Sequence, residues 1–151
     1  MVHTRTRQRA IVQKYVSFYD PVLRANFRLP MVHLRITQSN NTISTTALLD
    51  SGATVSYIPI ELAEIVGFQF PGQYKVQISE GAGGKFNSYV VNFDRLDVLK
   101  NRDIFQTFRN AEILVPGSHD LIPYAILGRD YIFENFDITF REREKKVVLR
   151  S

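Results

Sequence analysis

The sequence predicts an all-β domain with one or two short helices, and three observations carry that prediction. Apolar and polar residues alternate around Val32, Leu34 and Ile36 and again around Tyr74, Val76 and Ile78, the period of a half-buried strand. Turn-forming clusters, Gln38-Ser39-Asn40-Asn41 and Gly81-Ala82-Gly83-Gly84, separate strand-like runs as hairpin tips do. Helix signals are confined to two stretches, residues 59–66 and 129–135.

In chain order, residues 10–30 mix apolar and basic side chains and are punctuated at Asp20-Pro21 and Leu29-Pro30. They read as an N-terminal extension that packs partly on the domain, with a strand around 10–18. Its role stays open between a pro-segment, an interface element and a tail. Residues 31–37 and 42–49 form the first hairpin. His33 falls on its polar side, as a surface residue rather than a ligand. Residues 59–66 begin with proline and have Gly67 just past their end, the asymmetry of a short helix. The alternation at 74–78 is interrupted by the glycines and resumes over 86–93, which makes a second hairpin. Short apolar stretches follow at 104–108 and 111–115, then a loop over 116–120. Ala125-Ile126-Leu127 reads as a buried strand, 129–135 as a short helix, and 136–141 with 146–150 as a closing hairpin around a charged turn.

At 151 residues the chain fits one domain with a real core. The division expected is a basic extension, 1–30, before a domain, 31–151. Residues 1–35 hold seven Arg or Lys against one acid, and the remainder twelve against fourteen. A basic arm can serve nucleic acid or an anionic surface. This one has no interleaved stacking aromatics and matches no nucleic-acid-binding motif, so it reads as a solvated tail. No apolar run approaches a membrane span, and no apolar region of a signal peptide follows the basic start. A membrane partner is not expected. The absence of cysteine excludes disulfides and thiolate metal sites and fits a cytoplasmic protein. The histidines, His3, His33 and His119, are scattered, so neither a metal nor another cofactor is expected.

Chemistry is concentrated in Thr46-Ala47-Leu48-Leu49-Asp50-Ser51-Gly52-Ala53-Thr54, where an apolar strand delivers one carboxylate into a turn. Such a charge is costly beside a core unless it is paired or functional. Downstream lie the glycine-rich run 81–84 and Tyr124-Ala125-Ile126-Leu127-Gly128-Arg129-Asp130. In order and spacing these three segments resemble those of the retropepsin-like aspartic proteases, the single-domain relatives of retroviral and retrotransposon proteases, over about residues 31–150. The resemblance implies a small closed barrel-like acid-protease domain that works as a homodimer on a peptide or protein substrate. Asp50 takes the place of the catalytic acid/base, within an active-site loop that includes Ser51, Gly52 and Ala53. Ser51 stands where the family's threonine or serine interlocks the two loops. Gly81, Ala82, Gly83 and Gly84 stand at the tip of the flap, residues 79–86. Gly128, Arg129 and Asp130 take the supporting segment.

Aspartic proteolysis needs two carboxylates sharing one proton, because like charges held close cannot both ionise. The chain has a single Asp-Ser/Thr-Gly sequence, so the second carboxylate must come from another copy. Two departures from the family accompany this. Where retroviral members often carry a second aspartate that pairs with the arginine, this chain has Thr54, which leaves Asp130 or another acid to pair with Arg129. Where pepsin-like enzymes often have a hydroxyl residue after the glycine, Ala53 offers no hydrogen bond to the carboxylate, which predicts a less acidic pH optimum than theirs.

His119-Asp120 resembles half a hydrolytic triad, but no Gly-x-Ser-x-Gly and no cysteine accompany it. The glycine run precedes a strand, not a helix N-terminus, which argues against phosphate binding. The alternative from another class is a catalytically silent retropepsin-like module for dimerisation or peptide binding, against which the intact Asp50-Ser51-Gly52 speaks.

Overall fold

The computed structural model describes residues 9–151; His3 and the basic residues Arg5 and Arg7 lie outside them. The fold is mostly β, as expected. Strands β1 (Ala10–Lys14), β10 (Asp137–Arg141) and β11 (Lys146–Arg150) form one sheet in the order β1-β11-β10. Strands β2 (Val16–Asp20) and β3 (Ala25–Leu29) form a two-stranded ribbon. The main sheet has the order β6-β7-β4-β5-β9, with β8 on the other edge of β7. Its strands are β4 (Met31–Gln38), β5 (Asn41–Leu49), β6 (Lys75–Gly81), β7 (Gly84–Lys100), β8 (Asp103–Pro116) and β9 (Ala125–Leu127).

Most elements form where the pattern places them. The β4–β5 hairpin pairs Gln38 with Asn41, so Ser39 and Asn40 make its tip, and Ser39 adopts a positive φ of 52°. Leu34, Ile36, Ala47 and Leu49 point into the core and are buried. Helix α1 (Ile60–Ile65) follows Pro59 and stops before Gly67 at φ 111°. Phe68, Phe70, Tyr74, Tyr89 and Phe93 then pack as a chain of rings, with Phe68 and Phe93 5.0 Å apart and Phe70 and Tyr89 4.9 Å apart. That cluster fixes the base of the β6–β7 hairpin on the core. Its far end, Gly81 to Gly84, is exposed.

Two expectations are corrected. The stretches 104–108 and 111–115 are parts of one strand, β8, paired along nearly its whole length with β7. Between them Arg109 and Asn110 are exposed and polar, with Asn110 at φ 49°, which breaks the apolar pattern of β8, and the partner strand is interrupted in the same way by Asp97. Asp97 is fully buried in β7 and accepts hydrogen bonds from Thr107 Oγ1 at 2.7 Å and Arg95 Nε at 2.9 Å. The strand ladder is also not the closed barrel the resemblance implied. Among the described residues no strand pairs β9 with β8, and the gap is spanned by single bridges from Tyr57 to Leu114 and Ile126. Pro59, two residues on, has no N–H with which to extend that pairing.

Among the described residues, the extension joins the core at Ile11 and Tyr15. Ile11 is buried, β1 pairs with β11 throughout, and Tyr15 N donates to Lys145 O at 2.8 Å. Burial first, and then the Glu142 carboxylate beside it, push the Tyr15 hydroxyl up to about 12, so it stays neutral where it is packed.

Candidate active site

The site is built by a parallel pairing. β5 and β9 run side by side with Ala47, Leu48 and Leu49 opposite Ala125, Ile126 and Leu127. The residues that follow the two strands, Asp50 and Gly128, are thereby brought together. Asp50 N donates to Leu127 O at 3.0 Å, and Arg129 N donates to Ala53 O at 2.9 Å, which stitches the two turns to each other. Within the Asp50 turn, Ala53 N donates to Asp50 O at 3.2 Å and Gly52 N to Asp50 Oδ1 at 2.9 Å. The carboxylate is therefore held by its own turn, with one oxygen engaged. A Cβ at position 52 would lie 3.2 Å from that oxygen, so a side chain there would crowd the carboxylate.

Beneath this turn lies a residue that the sequence analysis did not single out. Ser56 is 1% exposed. Its Oγ donates to Asp130 Oδ1 at 2.7 Å and accepts from Gly128 N at 3.0 Å, while its N donates to Asp130 Oδ2 at 3.1 Å. Asp130 thus binds the strand leaving the Asp50 loop to the supporting segment. The only sequence signal for Ser56 is a lone hydroxyl between Val55 and Tyr57-Ile58. Both oxygens of Asp130 are taken by Ser56, so Asp130 does not substitute as an acid for Arg129. Arg129 Nη2 instead donates to Thr54 Oγ1 at 3.3 Å, and among the described residues it makes no ion pair. Ser56→Ala should leave the buried Gly128 N–H without an acceptor, at a cost of about 2 kcal/mol. Thermal unfolding should register this as a fall in Tm of about 6 °C.

The Asp50 turn and the β6–β7 hairpin face each other across a cleft of about 680 Å³. Asp50, Gly52 and Ala53 line one side, and Gly81, Ala82, Gly83 and Gly84 the other. Val55, Tyr57, Ile78, Phe86, Leu121 and Ile126 supply apolar walls. Gly81 pairs with Gly84, leaving Ala82 and Gly83 as a two-residue tip, and Gly84 needs its glycine for a φ of 108°. Around Gly83 a Cβ would meet nothing within 4 Å, so the tip is free to approach a ligand. Ser51 is exposed and lies outside the lining, while Gly128, Arg129 and Asp130 sit behind the turn. Tyr124 stands close by: burial first, then the carboxylates of Asp50 and Asp20, hold its hydroxyl above its ordinary range. Among the described residues no cluster of His, Asp and Glu is arranged to hold a metal ion. His119 Nε2 lies 2.7 Å from Glu64 Oε1, and Asp120 N donates to Glu61 Oε1 at 2.6 Å. That loop is tied to α1 and forms no part of a triad.

A family model described as aspartyl protease matches residues 32–131, the segment from β4 through the Gly128 turn. The chain belongs to the aspartyl protease family. The matched span contains the Asp50 turn, the glycine-tipped hairpin and the Ser56–Asp130 tie. Its fold is that of a retropepsin-like aspartic protease from Rickettsia conorii, known from a crystal structure. The two are 17% identical with a TM-score of 0.62, over 94% of this chain and 98% of that one. At that identity the likeness concerns the fold. No curated protein matches the chain.

Proposed function

We propose that this aspartyl protease is an aspartic endopeptidase whose catalytic dyad is formed by Asp50 from each of two copies. The observation that carries the reading is the seating of Asp50: a carboxylate fixed by the β5–β9 pairing at one wall of a cleft whose other wall is a glycine-tipped hairpin. One Asp50 of the pair is protonated and the other ionised. The ionised carboxylate takes a proton from a water, whose oxygen attacks the peptide carbonyl carbon. The protonated partner gives its proton to the carbonyl oxygen, forming a tetrahedral gem-diol. The carboxyl that took the water's proton then passes it to the amide nitrogen as the C–N bond breaks and the amine leaves. The other carboxylate recovers a proton from the gem-diol as the carboxylic acid product forms. Ser51, exposed on the turn, interlocks with its counterpart across the two-fold axis. Backbone groups of the flap, Gly81 to Gly84, bond an extended peptide as an added strand, and the apolar walls favour large apolar residues beside the cut. With Ala53 giving no side-chain hydrogen bond to the dyad, the optimum lies at less acidic pH than in pepsin-like enzymes.

The experiment that tests this is calorimetric titration with a statine-type mimic of the tetrahedral intermediate. One mimic should bind per two chains, and it should block cleavage of an unfolded protein substrate at that stoichiometry. Binding of one mimic per chain, or none at any pH where the protein is folded, would sink the shared dyad.

A further inference from the structure

We propose that the β2–β3 ribbon is an arm that clasps a second copy of this chain beside the Asp50 turn. The inference rests on the dimeric reading above and adds the surface by which the two copies hold each other.

Among the described residues the ribbon has no third strand. Its five pairs, Val16 with Leu29 through Asp20 with Ala25, make a sheet of two strands only. A lone two-stranded ribbon buries little and is marginal in water unless it packs on something. Its tip is nevertheless tightly built. Asp20 Oδ1 accepts from Val22 N at 2.8 Å and from Leu23 N at 3.0 Å, and Arg24 closes the turn at φ 51°. The one acid of the arm is spent on shaping a turn that displays two aliphatic side chains. Val22 is 87% exposed and Leu23 65%, and Tyr19 and Phe27 behind them are exposed as well. Solvated turns favour glycine, asparagine and serine at such positions. Two adjoining exposed aliphatics at a turn, with Phe27 on one face of the ribbon behind them and Tyr19 on the other, mark a contact surface.

The placement of the arm names the occupant. Pro30, directly after β3, accepts a hydrogen bond from Leu49 N at 3.0 Å, one residue before Asp50. At the other strand, Phe18 packs edge-on against Tyr124, 5.1 Å between ring centroids, and Tyr124 is within electrostatic reach of Asp50 and Asp20 together. The arm is therefore rooted at the point where a second carboxylate has to be delivered. Charge agrees with a second copy. The arm carries Arg24 and Arg28, while the groove at its foot has an apolar floor of Met31, Pro59, Leu62 and Ile122 with Glu61 and Asp120 beside it. Under a two-fold axis each tip seats in the partner's groove and each groove receives the partner's tip, so both copies bury the same surface.

Sedimentation velocity on the full chain over a range of concentrations tests this, with Val22→Ser/Leu23→Ser beside the wild type. The double variant is expected to raise the dimer Kd by about 100-fold or more, because both copies lose buried aliphatic surface. Its far-UV circular dichroism should be unchanged, since both side chains are exposed. Cleavage per chain should become steeply dependent on enzyme concentration and recover at saturation, because neither residue lines the cleft. A second variant, Arg24→Glu/Arg28→Glu, should weaken the dimer in a salt-dependent way. A wild-type dimer indifferent to both variants assigns the arm to another occupant and overturns the proposal. So does a wild type that is monomeric. A dimer weakened by the arm variants in a protein that cuts nothing leaves the arm standing and removes the endopeptidase reading instead.

Discussion

Asp50→Asn is expected to lower cleavage of an unfolded protein by at least about a thousandfold, the contribution of positioned acid–base groups. The expectation has a structural reason to be clean. Asn retains an Oδ1 that accepts from Gly52 N as the carboxylate does at 2.9 Å, and the backbone bonds from Asp50 N to Leu127 O and from Ala53 N to Asp50 O do not involve the side chain. Folding should therefore be little changed, within about 0.5 kcal/mol, while the amide neither accepts a proton from water nor shares one. A mixing experiment separates a shared dyad from two independent sites. When wild type and Asp50→Asn are co-refolded at fixed total concentration, activity should follow the square of the wild-type fraction, because a mixed dimer holds one carboxylate. A linear dependence would mean that each chain cuts alone, and the dyad would be lost as an explanation.

What the sequence disclosed depended on whether pattern and burial coincide. The β4–β5 hairpin was legible because Leu34 and Ile36 alternate with polar neighbours and the turn residues lie between the strands. The resemblance implied only that the Gly128 segment supports the Asp50 loop; the parallel pairing that joins the two turns is long-range and leaves no local trace. The length of the β7–β8 pair was hidden because exposed Arg109 and Asn110 interrupt β8 and Asp97, charged yet fully buried, interrupts β7. Arg95 lies two residues from Asp97, but the bond from Thr107 forms only once the two strands pair. Ser56 was missed for a related reason: its partners, Gly128 and Asp130, lie more than seventy residues away. The strand expected over 10–18 is two strands: Tyr15 N still bonds Lys145 O in the β1–β11 register, and from Val16 the chain pairs with β3 instead. An expectation of another acid for Arg129 failed because Thr54 supplies an oxygen in its place.

The glycines carry the same lesson to a sharper prediction, because the constraint on Gly128 and that on Gly83 differ in kind. Gly128 is not required for backbone freedom: its φ is −90° and its ψ −162°, which any residue adopts. It is required for closeness. A Cβ there would lie 2.4 Å from Val55 O and 2.7 Å from Ala53 O, and both obstacles are backbone atoms that cannot swing away as a side chain does. Relief demands that the loop from Ala53 to Val55 move, yet Ala53 O is held by Arg129 N and Ser56 by Asp130. Gly128→Ala is accordingly expected to destabilise the fold by about 3 kcal/mol or more, the upper range for overpacking. Whatever fraction stays folded should cut poorly, because the displaced loop is the one that aims Asp50. Gly83→Ala, where nothing lies within 4 Å, should stay within about 0.5 kcal/mol of wild type. Denaturant unfolding of the two variants decides it. Equal midpoints would show that the two turns are not pressed together as the hydrogen bonds between them require, and the seating of Asp50 would need another account.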